Sequence, residues 1–201
     1  MTPDPVRARY LDAAVVVLVC FGMFVAESLT QVLSGAGPGP TDIATDASLF
    51  ILILQECVLG ALALSFLHVR GYQLRAFLPR PTAPDTALGA LLYGAVALAV
   101  WVGQRLGGDA GPEPIDVLMA QAQFSIPAIV AVAIVNGFYE EFFLLGILTP
   151  LLARRGASFA IGCTVLLRVL YHVYQGPHGA VAAALFGITL GIFYLSTRRL
   201  W

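Results

Sequence analysis

Six long apolar runs, each nearly free of charge, decide what this chain can fold into. They cover Tyr10–Leu33, Ser48–His68, Ala87–Gln104, Ser125–Leu148, Ser158–Tyr174 and Ala180–Thr197. The hydrocarbon core of a bilayer is about 30 Å thick, and a helix needs about 20 apolar residues to cross it. The fifth and sixth runs are short and are expected to be partly covered by neighbours. No strand pattern competes, because the runs are too long and do not alternate. The expected fold class is therefore all-α: a polytopic transmembrane helix bundle of about six spans.

Charge supports this. Only 11% of the 201 residues are charged and 59% are hydrophobic, against about 25% charged in a soluble domain. So few charges cannot cover a water-facing surface, and the apolar surplus must face lipid. The bilayer is thus the first expected partner. A net charge of -1 without a basic stripe gives nucleic acid nothing to bind. Cys20, Cys57 and Cys163 are odd in number, widely spaced and inside apolar runs, so they read as packing residues. The first run is too long for a signal peptide and contains Asp12 and Glu27.

The loops alternate in charge. Arg7 and Arg9 precede the first run, Arg70, Arg75 and Arg80 follow the second, Arg154 and Arg155 follow the fourth, and Arg198 and Arg199 follow the sixth. The other loops carry Asp42 and Asp46, or Asp109, Glu113 and Asp116, with Arg105 the exception. The positive-inside rule then puts both termini on the cytoplasmic side. Residues 1–124 hold three membrane helices with their loops, and residues 125–201 hold the core that carries the motifs. A short interfacial helix is expected over Ile115–Gln123.

Ionisable groups inside a membrane helix are costly and usually mark function. The set here is Glu27, Glu56, Glu140, Glu141, Arg168 and His172. Adjacent helical residues point about 100° apart. Glu140 and Glu141 therefore cannot both face one point, and one is free to face a cavity while the other pairs with a neighbouring helix. Two carboxylates so close suit general acid–base work; the structural alternative is a salt bridge. Arg168 and His172 are four apart and share a helix face. Glu56 lines the same cavity or pairs with Arg168. Glu27 and His68 read as interfacial, and His178, in the Gly- and Pro-rich stretch Gln175–Gly179, reads as a loop residue.

Tyr139-Glu140-Glu141-Phe142-Phe143-Leu144-Leu145-Gly146 resembles the first motif of the CPBP family, E-E-x-x-x-R followed by Gly. Arg168-Val169-Leu170-Tyr171-His172 resembles its second motif, usually F-x-x-x-H. This is the family of type II CAAX prenyl endopeptidases and of bacterial bacteriocin-immunity (abortive-infection) membrane proteases. The resemblance covers about Ser125 to Trp201. Leu145 stands where the first motif has Arg, and Arg168 stands where the second has Phe. An Arg lost from one helix and gained on its neighbour would serve the same Glu pair. The family usually continues with a helix carrying a His and then an Asn or Asp. No match to those residues is found before Trp201, so the chain is either truncated or lacks part of that site.

The resemblance implies peptide-bond hydrolysis of a membrane-associated peptide or protein substrate, in a bacterial inner membrane. It implies catalytic roles for Glu140, Glu141 and His172. Glu140 is expected to activate a water with Glu141 in support, and His172 to stabilise the oxyanion; Arg168 and Glu56 support the site. Family members have been described as metalloproteases and as glutamate-dependent. One matched His and two Glu fall short of a catalytic zinc site, which takes three protein ligands, so no cofactor is expected. The alternatives are a catalytically impaired relative acting as a bacteriocin self-immunity factor or membrane scaffold, and a transporter or proton relay.

Overall fold

The computed structural model describes residues 5–35, 44–78, 82–106 and 112–199. Asp42, Arg80 and Asp109 lie outside them. The chain forms α1 (Pro5–Ser34), α2 (Asp46–Val69), α3 (Ala83–Leu106), a short α4 (Pro114–Gln121), α5 (Ile126–Glu141), α6 (Ala157–Leu170) and α7 (Pro177–Thr197). Helix α5 does not stop at Glu141. It runs on through a π-helical stretch, Phe142–Leu148, and a last α-turn, Thr149–Leu152. Among the described residues the only bridge between extended segments is an isolated one, Thr45 to Gln123.

Among the described residues five helices are long and apolar enough to cross a membrane. The surface they present is itself apolar: Leu18 and Leu91 are both 70% exposed, and many other large hydrophobic side chains are exposed as well. A water-soluble monomer does not expose apolar surface on this scale. This is an integral membrane protein. Each of the six expected runs becomes a helix, but the fifth is shorter than its apolar run. Helix α6 has 14 residues, about 21 Å at 1.5 Å per residue. The run continues to Tyr174, yet the helix ends at Leu170, because Tyr174 N–H donates to Ser28 Oγ of α1 (3.1 Å). That bond draws the chain into the turn Val173–Gln175.

Helix starts follow local chemistry. Ser125 Oγ accepts from Ala128 N–H (3.4 Å) ahead of α5, whose first turn contains Pro127, where a missing N–H costs nothing. The expected interfacial helix corresponds to α4, which opens with Pro114.

Helix α1 packs on α2, α2 on α5, α6 on α7, and α7 on α3. Helix α1 also touches the π stretch, α6 and the turn Val173–Gln175. The core is shared by Val16, Cys20 and Phe21 of α1, Ala63 and Leu67 of α2, the aromatic run at the end of α5, and Leu167 of α6. Glycine decides two approaches. A Cβ on Gly60 would come within 3.3 Å of the Phe143 ring, and one on Gly187 within 3.0 Å of Val165. Small residues let membrane helices approach closely in this way.

The Arg-bearing loops gather at one end of the bundle. There Arg70 Nε and Tyr72 OH donate to Asp12 at 2.8 and 2.9 Å, Arg199 pairs with Asp85 at 2.6 Å, and Arg155 lies over the Tyr10 ring. Burial and the nearby Asp12 carboxylate push the Tyr72 phenol up to about 12, so it keeps the proton it donates. Of the three cysteines, Cys20 is in the core while Cys57 is on the outer surface of α2, which corrects the reading of all three as packing residues.

Candidate functional site

The site is built around the end of α5. Pro150 has no N–H and its ring crowds the preceding turn. The backbone widens upstream of it: Thr149 N–H reaches the Leu144 carbonyl, five residues back, and Thr149 Oγ1 donates to that same oxygen at 2.9 Å. Every residue from Phe142 to Leu148 is buried, so packing on all sides holds the widened turn. π-helical stretches of this kind are frequent at functional sites. This one follows Glu140 and Glu141 directly.

Arg168 of α6 reaches across to both carboxylates. Its Nη2 donates to Glu141 Oε1 at 2.5 Å and its Nη1 lies 3.6 Å from Glu140 Oε2. Arg168 is 7% exposed, and the Gly187 approach of α7 packs against its stem. The Arg that stands in α6 rather than at Leu145 therefore serves the Glu pair, as expected from the sequence. Tyr171 OH donates to Glu140 Oε2 at 2.8 Å. Among the described residues Glu140 thus has one cationic partner and one phenolic donor.

His172 lies one residue beyond the Tyr171 cap of α6, yet the four-residue spacing still brings it to Arg168. Its Nδ1 lies 2.9 Å from the Arg168 carbonyl oxygen. A carbonyl only accepts, so Nδ1 carries the hydrogen, and Nε2 is the remaining polar atom of the ring.

Glu140 and His172 line one cavity of about 360 Å³, together with Glu56. Glu56 does not pair with Arg168, the alternative open in the sequence. Its Oε1 accepts from Asn136 Nδ2 at 2.5 Å, because α2 packs on α5 one turn before the Glu pair. Glu56 Oε2 is buried with no partner among the described residues. Glu141 faces elsewhere, into a groove of about 390 Å³ between α3 and α5. Glu27 is exposed, as an interfacial residue is, and also lines the cavity. His178 sits apart at the start of α7, paired with Glu113 at 2.7 Å.

Sequence reasoning missed Tyr171, Asn136 and Tyr139. Asn136 had a signal: it precedes Glu140 by four residues and so shares its helix face. Tyr139 OH donates to the Cys20 carbonyl at 2.9 Å, a bond no spacing reveals. Among the described residues no three His, Cys, Asp or Glu side chains gather to hold a metal ion, so those residues do not fit a three-ligand zinc site.

Residues 122–201 match the model of a protein family described as Rce1-like, type II CAAX prenyl endopeptidase Rce1-like. Glu140, Glu141, Arg168, Tyr171 and His172 all fall inside the matched residues. No curated protein and no solved structure matches the chain.

Proposed function

We propose that this chain, whose residues 122–201 match the Rce1-like family model, is an intramembrane endopeptidase of the CPBP type with Glu140 as general base. The observation that carries the reading is the cavity shared by Glu140 and His172, with Tyr171 holding the Glu140 carboxylate. Glu140 takes a proton from a water in the cavity, and the water oxygen attacks the peptide carbonyl. The same carboxyl then returns the proton to the leaving amine as the C–N bond breaks. With Nδ1–H committed to the Arg168 carbonyl, a neutral His172 offers Nε2 only as an acceptor. It donates to the oxyanion only as the imidazolium. Glu141 and Arg168 hold the frame. The Arg-bearing loops at one end support cytoplasmic termini, in a bacterial inner membrane.

The test is a comparison of newly formed peptide N-termini in membranes carrying the wild-type protein or Glu140→Gln. Termini present with the first and missing with the second are expected. Identical sets with both would reject the protease reading. One observation favours a second reading, a scaffold or bacteriocin-immunity factor: Arg168 neutralises both carboxylates, as a purely structural cluster would. In that case Glu140→Gln spares the cellular phenotype.

A further inference from the structure

We propose that the cavity holding Glu56 selects an organic cation on an apolar stem, the side chain of Lys or Arg, in the part of the substrate next to the bond that is cut. This rests on the protease reading of the same cavity and adds the chemical class of the substrate.

Three carboxylates line the cavity, Glu27, Glu56 and Glu140, and no Arg is among its lining residues. Glu140 has its counter-charge outside the cavity in Arg168. Glu56 has none. Its only partner among the described residues is the neutral Asn136 amide on Oε1. The residue is 1% exposed and its Oε2 has no partner. A buried carboxylate oxygen in that state costs free energy that a charged donor removes.

The walls narrow the identity of that donor. Phe21, Phe24 and Tyr174 line the same cavity as Glu56, and aromatic faces attract ammonium and guanidinium groups. Aromatic walls also accept the methylene stem of such a side chain. They do not suit a bare metal ion, for which no group of three ligands is assembled among the described residues. The size fits as well: about 360 Å³ is near the lower end of ligand pockets, roughly 300–1,000 Å³, which admits one side chain and not a folded segment. Glu27 and Gln31 line the cavity and are exposed near the C-terminal end of α1, so their side chains give the cavity a polar end, on the side of the bundle away from the Arg-bearing loops. A basic side chain on a membrane-associated peptide seeks such a polar end.

The test uses the full chain in liposomes with n-butylguanidinium and n-butylammonium as cations and 1-pentanol as a neutral mimic of similar size. Binding is read by the shift in thermal unfolding midpoint across a ligand titration. Both cations are expected to raise the midpoint and 1-pentanol to leave it near its starting value. Glu56→Gln is expected to weaken the cations about tenfold, which is about 1.4 kcal/mol, and Glu27→Gln to weaken them less. Equal shifts from 1-pentanol, or unchanged cation affinity in Glu56→Gln, would overturn the inference. Should Glu56→Gln fail to fold, Phe24→Leu replaces it: weaker cation binding is expected, and unchanged binding in both Phe24→Leu and Glu27→Gln would overturn the inference. Cation binding is read without turnover. Cation binding with no peptide cleaved would reject the protease reading, whereas cleavage with no cation binding would reject only the cation.

Discussion

Glu140 and Glu141 are neighbours in the chain and face different surroundings. Glu140 lines a cavity with polar residues of α1, α2 and the turn after α6, including Glu56, Gln55 and His172. Glu141 lines a groove between α3 and α5 whose walls are mostly small and apolar, among them Gly89, Ala90, Ala133 and Gly137. The cause is the helix itself, which turns about 100° per residue. One dipeptide thus supplies a carboxylate to a polar cavity and a second to an apolar groove, and a single buried Arg168 anchors both. The difference supports the proposed roles, with the group facing the polar cavity placed where water and substrate would meet it and the group held at 2.5 Å by Arg168 tying the helices together.

The largest effect expected from this contrast is on turnover. Glu140→Gln should lower peptide cleavage by about 10²–10⁴-fold, the usual worth of a general base, while Glu141→Gln leaves more of it. The two variants compared in one proteoliposome assay decide this, and equal losses would erase the distinction between the two sides. Next comes Arg168→Leu, which strands two carboxylates in the interior. A cost of about 3–5 kcal/mol is expected from breaking a buried ion pair, read as a lower unfolding midpoint in detergent. Adding Leu145→Arg should restore part of it, since that returns the Arg to the place it holds in the first family motif. Absence of any rescue would count against the exchange of Arg between helices.

Tyr171→Phe sharpens the contrast further. It removes the 2.8 Å bond to Glu140 and leaves Glu141 with its own partner. A loss of about 1.5–3 kcal/mol is expected from removing a hydrogen bond to a charged acceptor; it should appear mainly in turnover, and a loss confined to stability would place Tyr171 in the frame alone. The smallest effect belongs to the groove. A Cβ on Gly137 would meet nothing within 4 Å, so Gly137→Ala should stabilise α5 by no more than about 1 kcal/mol, the helix propensity difference. Turnover should not change. A large drop in cleavage would mean that the apolar groove, too, takes part in the reaction.

Much of the site was legible in the sequence because charge inside an apolar run is rare and expensive. Glu140, Glu141, Arg168 and Glu56 stand out on that ground alone, and the network around Arg168 gathers three of them. Tyr171 and Asn136 did not stand out, because Tyr and Asn in a membrane helix cost far less than a charge. The partner of Glu56 was open for a related reason: Arg168 and Asn136 lie on different helices, and only the packing of α2 on α5 brings Asn136 within 2.5 Å. The end of α6 was misjudged by the apolar run, since Ser28, far away in sequence, takes the Tyr174 N–H.

The sequence by itself determined that the chain lives in a bilayer, how many helices it forms and which charged groups it buries. Those follow from the cost of exposing apolar surface to water and of placing charge in hydrocarbon, and both are summed residue by residue along the chain. The tertiary structure alone decided which carboxylate faces which side, that His172 commits Nδ1 to a carbonyl, and that Glu56 keeps an oxygen without a partner among the described residues. Those depend on helix rotation, on the widened turn ahead of Pro150 and on close approaches at Gly60 and Gly187, and contacts between distant segments set each of them.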